Sequence, residues 1–164
     1  MLIRLPNPFF GESHLDILAA VESLNYRTCP PWLGNFKFKM IKSLDKLPTI
    51  LKQEFKDLNS LVPAQRFNTW FIQQYEPGQN VKPHRDPLNN KGLTIVSLYG
   101  QLWRTILTVD KIKYFQSPGQ IFVFPTTINN TQGPIHSMNW DTPENAGVTQ
   151  FTTRWALICN TIEN

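Results

Sequence analysis

Beyond Val62 the chain changes character, and this change constrains its fold more than any other feature. FNTWFIQQY, GLTIVSLYG, WRTILTVDKIKYF, GQIFVFP and RWALICNT are apolar stretches separated by Gly, Pro or Asn. They are rich in β-branched and aromatic side chains, which suit a pleated, half-buried surface. Apolar runs of this kind between turn formers fold as strands. Several of them following helical segments predict an α+β protein with a sandwich or barrel of strands at its core.

Two helical patterns precede that block. In SHLDILAAVESLNY, Leu15, Leu18, Val21 and Leu24 recur at helical spacing, and Ser13 with Asp16 resembles a capping box. From about Leu47 to Leu61 the stripe is Leu47, Ile50, Leu51, Phe55 and Leu58. Pro48 falls in the first turn of that helix, where a missing N–H is tolerated. Between the helices RTCPPWLGNF is turn-rich, and FKFKM alternates strictly. That alternation predicts a half-buried strand with Phe36, Phe38 and Met40 on one face and Lys37 and Lys39 on the other. With no repeat, linker or low-complexity run, 1–164 reads as one domain. Its helical part covers about 1–62 and its β-core about 63–164.

The chain has 164 residues, 41% of them hydrophobic, enough for a sizeable core. No window has the uninterrupted apolar length of a membrane span. The start, MLIRLPNPFFGESHLD, lacks the pattern of a signal peptide. Cys29 and Cys159 lie far apart and read as free thiols of a reducing compartment, so a cytoplasmic protein is expected. The sequon Asn129-Asn130-Thr131 then reads as a loop and not a glycan site. The net charge of +4 is uneven, with seven Lys/Arg between Arg27 and Lys56 against Asp45 and Glu54. Both a polyanionic partner and a solvated basic face fit that excess.

The chemistry centres on YEPGQNVKPHRDP. In an extended segment His84 and Asp86 project to one face, so they can be two ligands of one ion or two polar residues at a strand end. Of the remaining histidines, His14 lies in the first helical region and reads as a surface residue. His136 follows a strand and a polar loop, from which a returning strand can bring it back to the barrel mouth. Two histidines and a carboxylate make the facial triad of non-haem iron oxygenases, with positions left open. A bidentate 2-oxo acid and O₂ can occupy those positions, and the distal carboxylate of the acid needs a buried, forked cation. Arg154, set in the apolar strand TTRWALICNT, meets that need; a structural ion pair is its other reading.

These residues resemble the 2-oxoglutarate- and Fe(II)-dependent dioxygenases with a double-stranded β-helix core, and within them the AlkB-like branch. FNTWFIQQYEPGQNVKPHRD, from Phe67 to Asp86, carries that branch's pattern of FN, then Y-x-P-G, then H-x-D. IVSLYG and SPGQIFVFP are similar to its following strands, and the gap from His136 to Arg154 is close to its usual gap. The resemblance covers roughly Leu47 to Asn160. It implies a jelly-roll core with N-terminal helices packed on one sheet. It implies catalysis at iron bound by His84, Asp86 and His136, with Arg154, Tyr75 and Gln73 holding 2-oxoglutarate and Asn68 in support. Hydroxylation of a substrate C–H follows, extending to oxidative demethylation or hydroxylation of a nucleic-acid base docked over Arg27 to Lys56. A peptide hydroxylase of prolyl type, a small-molecule hydroxylase and a non-catalytic metal-binding β-sandwich are the alternatives. The chain departs from the repair enzymes at Ala156 and Asn160, where they carry an Asn and a second Arg. It departs again at Pro87 to Asn90, where they have acidic residues.

Overall fold

The computed structural model describes residues 2–6, 13–100, 105–117, 119–141 and 152–164, the first of these segments chiefly by its backbone. In chain order the elements are β1 (Ile3–Pro6), α1 (His14–Glu22), β2 (Arg27–Thr28), β3 (Lys37–Ile41), a 3₁₀ turn (Leu44–Lys46) and α2 (Thr49–Asn59). There follow β4 (Thr69–Tyr75), β5 (Val81–His84), β6 (Asn90–Tyr99), β7 (Thr105–Val109), β8 (Ile112–Gln116) and β9 (Gln120–Pro125). The last are β10 (Thr127–Ile128), β11 (Thr131–Gln132), β12 (His136–Trp140) and β13 (Arg154–Ile162).

These strands form a double-stranded β-helix. A seven-stranded sheet has the order β1-β9-β6-β13-β4-β3-β2, and it faces a four-stranded sheet ordered β5-β12-β7-β8. From β4 to β7 the chain alternates between the sheets; β8 then pairs with β7 in the smaller one, β9 returns to the larger, and after the separate β10-β11 hairpin β12 and β13 again fall on opposite walls of the barrel. The part before residue 63 is therefore not only helical: β1, β2 and β3 all join the larger sheet.

Tight turns make these reversals. WRTILTVDKIKYF is two strands, not one, because Asp110 and Lys111 both take positive φ (48° and 68°) between the paired residues Val109 and Ile112. This is the two-residue hairpin geometry whose twist matches that of the flanking strands. Trp103 and Arg104, read as the start of that run, lie outside the described residues. Asn129 and Asn130, with φ of 49° and 61°, make the same turn between β10 and β11. The sequon therefore sits in a tight hairpin.

The helices pack on the outer face of the larger sheet. Ile17 and Val21 from α1 and Leu51, Phe55 and Leu58 from α2 join Trp70, Ile72, Ile95 and Leu157 in one apolar cluster. The phase of α1 differs from the expected stripe: Leu15 is exposed, and Ile17 takes its place in the core. Ser13 precedes the helix without a side-chain capping bond, so the expected capping box does not form. His14 is not a plain surface residue, since its ring stacks on Tyr99 and its Nε2 lies 2.8 Å from the Gly100 carbonyl oxygen. Pro48 stands one residue before α2, at its N-cap.

Candidate metal centre and its cavity

β5 exists because the chain turns back on itself at Glu76-Pro77-Gly78-Gln79. Gly78 has φ +87°, and the Gln79 N–H donates to the Glu76 carbonyl at 3.0 Å. A Cβ on Gly34 would stand 2.2 Å from the Asn80 carbonyl oxygen, so only glycine lets the Trp32 loop close against this strand. β5 then pairs with β12, and the register sets His84 directly opposite His136. Cross-strand partners on one face are neighbours, and the two rings lie 4.3 Å apart between centroids.

Asp86 completes the group from the residues just past β5. Its Oδ1 lies 3.5 Å from His84 Nε2 and 3.7 Å from His136 Nε2. One ligand atom from each of the three side chains falls within 4.8 Å of the others. The opposite nitrogens are committed elsewhere: His84 Nδ1 faces the Lys82 carbonyl at 2.8 Å and His136 Nδ1 the Pro134 carbonyl at 3.1 Å. An Nδ1–H donated to a backbone carbonyl leaves Nε2 as the lone-pair nitrogen, turned toward Asp86. All three side chains are under one-fifth exposed.

The surroundings separate the two imidazoles. Burial pulls the His84 pKa down, but the hydrogen bond and charge of Asp86 and the Lys82 carbonyl outweigh it and leave it raised. At His136 burial dominates, with the neighbouring His84 adding to it, and the pKa is lowered despite Asp86. The three donors are two imidazole nitrogens and one carboxylate oxygen, a set that suits Fe(II).

The triad opens into a cavity of about 360 Å³ between the sheets. Arg154 lies in its wall, 2% exposed. The guanidinium stacks 4.2 Å from the Tyr75 ring centroid, and Nη1 donates to Thr105 Oγ1 at 2.7 Å. Desolvation lowers its pKa to about 10, against which Tyr75 acts in the opposite sense. Tyr75 is paired with Arg154 across β4 and β13 and donates its hydroxyl to Gln73 Oε1. Burial raises the Tyr75 pKa, with Arg154 opposing. Every residue expected at the site (His84, Asp86, His136, Arg154, Tyr75 and Gln73) lines this one cavity.

Asn68 lies outside it. Its side chain instead ties down the end of β13, accepting from Ile162 N–H at 2.9 Å and donating to the Ile162 carbonyl at 3.0 Å. Two further residues belong to the cavity's surroundings. Thr105 anchors Arg154, and only its place in an alternating strand could have signalled this. Trp32 is 63% exposed at the rim, its ring roughly perpendicular to that of His84 with 6.4 Å between centroids. It stood in a turn-rich segment whose approach to His84 depends on long-range pairing.

Lys37 and Lys39 do not face the cavity. They pair with Gln74 and Ile72, whereas Phe38 and Met40 pair with Gln73 and Phe71 on the cavity side. The lysines share the outer face with Ile41, which enters the helix-side core. Met40 is 50% exposed, so the expected packing of all three apolar residues of FKFKM holds for Phe36 and in part for Phe38.

No family model matches this sequence, and no curated protein matches it either. Solved structures share its fold. OsALKBH1 superposes with a TM-score of 0.68 at 11% identity, covering 96% of each chain. The viral collagen prolyl hydroxylase vCPH from Paramecium Bursaria Chlorella virus-1, in its 2OG complex, gives 0.66 at 13% identity, covering 97% of this chain and 94% of that one. The Schizosaccharomyces pombe Cnp3 cupin domain gives 0.52 at 8% identity, covering 87% and 72%.

Proposed function

We propose that this chain is an Fe(II)- and 2-oxoglutarate-dependent dioxygenase that hydroxylates a substrate C–H bond. The observation that carries this reading is the convergence of a His–Asp–His triad and a buried arginine on one cavity of a double-stranded β-helix. Its fold is shared with vCPH in a 2OG complex and with OsALKBH1, which supports the class. His84, Asp86 and His136 would hold the iron. Arg154 would grip the distal carboxylate of 2-oxoglutarate with its fork, kept in place by Tyr75 and Thr105, while Gln73 orients the Tyr75 hydroxyl. When bound, iron with O₂ supplies a two-electron oxidation: one oxygen atom enters the substrate, and the co-substrate leaves as succinate and CO₂. Where the hydroxylated carbon sits on nitrogen, loss of formaldehyde completes a demethylation.

The chain's own residues do the rest. The Lys82 and Pro134 carbonyls fix both imidazoles as neutral ligands, and the two sheets exclude water from the apolar wall. A closed structural metal site would use a fourth protein ligand. Among the described residues the cluster contains three, which favours an open site over a non-catalytic module.

For the substrate, two features of the mouth disfavour a polyanion. Lys82 and Arg85 donate to the Pro31 and Gly133 carbonyls, and the basic strand face of Lys37 and Lys39 points away from the cavity. A peptide or small neutral molecule fits this mouth better than a nucleic-acid base. Among the described residues no helix is long and apolar enough to cross a membrane. Both cysteines are free and buried, as suits a cytoplasmic protein.

The test is aerobic incubation with iron and 2-oxoglutarate, followed by mass spectrometry of peptide, metabolite and oligonucleotide mixtures. A gain of one oxygen atom or the loss of CH₂ from a component is expected. His136→Ala should lose stoichiometric iron and all turnover together, and full iron loading in that variant would sink the assignment.

A further inference from the structure

The cavity has a second polar end that the proposed chemistry leaves unused. Asn90, the first residue of β6, is 6% exposed and lines the cavity. Its backbone is satisfied: N–H donates to the Pro87 carbonyl at 2.9 Å, and its carbonyl accepts from Thr126 Oγ1 at 3.1 Å. Its side-chain amide is not. Oδ1 is buried without a partner, and the amide bonds to no described residue. Leaving such a group unmet costs about 1–3 kcal/mol, so a buried orphan in a cavity wall marks a place for a ligand.

Asn160 lies beside it on β13, 7% exposed and also lining the cavity. Its Oδ1 accepts from the Thr94 hydroxyl, which leaves its NH₂ group as a donor with no hydrogen bond among the described residues. The ionisable side chains lining the cavity, among the described residues, are Tyr75, His84, Asp86, His136 and Arg154. Arg154 and Tyr75 pair at the other end of β13, and Asp86 stands just before the turn from Pro87 to Asn90; Asn90, Asn160 and Thr94 themselves are polar and neutral.

This end also lies far from the anion grip. Arg154 and Asn160 are six positions apart on one strand, which separates their Cα atoms by about 20 Å at roughly 3.3 Å per residue. A five-carbon diacid spans on the order of 6 Å with C–C bonds of about 1.5 Å. A co-substrate held at Arg154 therefore leaves Asn90 and Asn160 to another molecule.

We propose that Asn90, with Asn160 and Thr94, forms a substrate subsite for an uncharged primary carboxamide carried by an Asn or Gln side chain of a peptide. That this ligand is then hydroxylated rests on the dioxygenase reading above. A carboxamide offers one N–H and one C=O on the same edge. It can pair with the Asn90 amide through two parallel hydrogen bonds, in either orientation of that amide. A carboxylate has no N–H for the Asn90 oxygen, and an ammonium has no acceptor for its NH₂. The rim suits a peptide: Pro30, Trp32 and Pro87 are exposed and uncharged, and the nearby cations are turned onto backbone carbonyls.

The experiment is titration calorimetry under nitrogen, with the protein loaded with Fe(II) and 2-oxoglutarate so that no turnover occurs. The probes are acetylated Gly-Gly-Asn-Gly-Gly and Gly-Gly-Gln-Gly-Gly, their Asp and Glu counterparts, and a thymidine oligonucleotide. An amide peptide is expected to bind about tenfold or more tightly than its acid counterpart, the equivalent of one hydrogen bond. Asn90→Ala should erase that preference, and Asn160→Ala should reduce it. Asn90→Asp, nearly the same in shape, guards against a folding defect and should also lose it. Equal binding of amide and acid peptides overturns the subsite, as does a preference retained in Asn90→Ala or binding of the oligonucleotide alone. Iron and 2-oxoglutarate loading of the wild type is read in the same series. A failure there overturns the dioxygenase reading, while the amide preference is still measured on the unloaded protein.

Discussion

His84 and His136 share a residue type and a site, yet their environments push them in opposite directions. Asp86 and the Lys82 carbonyl keep His84 protonated to higher pH than an ordinary imidazole, near 6.5. Burial keeps His136 neutral to lower pH. Only a neutral imidazole ligates a metal, so protons compete with iron, and affinity falls as pH decreases through the His84 range. Just above pH 6.5, iron uptake is expected to release protons mainly from His84, fewer than two per ion. Calorimetry in buffers of different ionisation enthalpy measures this, and release of two would contradict the assignment. At Arg154 the fork matters as much as the charge. Arg154→Lys should weaken 2-oxoglutarate binding while iron affinity stays near wild type, because one ammonium cannot reproduce two parallel bonds. Arg154→Ala should cost more, on the order of 2–5 kcal/mol, as breaking a buried charge pair does. Unchanged 2-oxoglutarate affinity in the alanine variant would remove Arg154 from the site.

At the scale of elements, strand register decides what a residue can do. In β3 the alternation read from the sequence is present, but the pairing with β4 places Lys37 and Lys39 on the side of the helices. The basic segment is more positive at its surface than its composition suggests, since Glu54 is buried against Tyr99, while Asp45 and Lys52 offset each other in an ion pair at 2.7 Å. It is a basic face, but one turned from the chemistry. Replacing Lys37 and Lys39 together by Glu is therefore expected to leave substrate turnover within about twofold of wild type at any salt concentration. It should abolish whatever weak, salt-dependent affinity this face has for polyanions. A steep loss of turnover in the double variant would instead bring the nucleic-acid substrate back.

For the whole molecule, the larger sheet separates two environments. Its outer face is sealed by α1 and α2 around Phe55, which is fully buried; its inner face lines the cavity. Stability and chemistry are thus divided between the two sides of one sheet. Phe55→Ala removes a large side chain from the outer side and should cost about 3–5 kcal/mol in denaturant unfolding. Iron stoichiometry of the protein that remains folded should not change, because no triad residue touches that cluster. A parallel loss of iron would show that the helices also shape the site.

Local physical chemistry was enough to mark most of this protein. Short runs of β-branched and aromatic residues between Gly, Pro and Asn specify strands because pleating and turn sterics act over a few residues. His84 and Asp86 could be paired from an i, i+2 spacing, and Arg154 stood out because a cation in an apolar strand is costly. The phase of α1 was not decided locally: Leu15 and Ile17 are equally apolar, and only the sheet beneath selects which is buried. The turn at Asp110 and Lys111 lacks the usual glycine, so its hairpin appears only once both flanking strands pair. The opposition of His84 and His136, the outward turn of Lys37 and Lys39, and the unmet amide of Asn90 depend on register between distant strands. A shift of one residue moves a side chain to the other face of a sheet, and register is set by the packing of both faces at once.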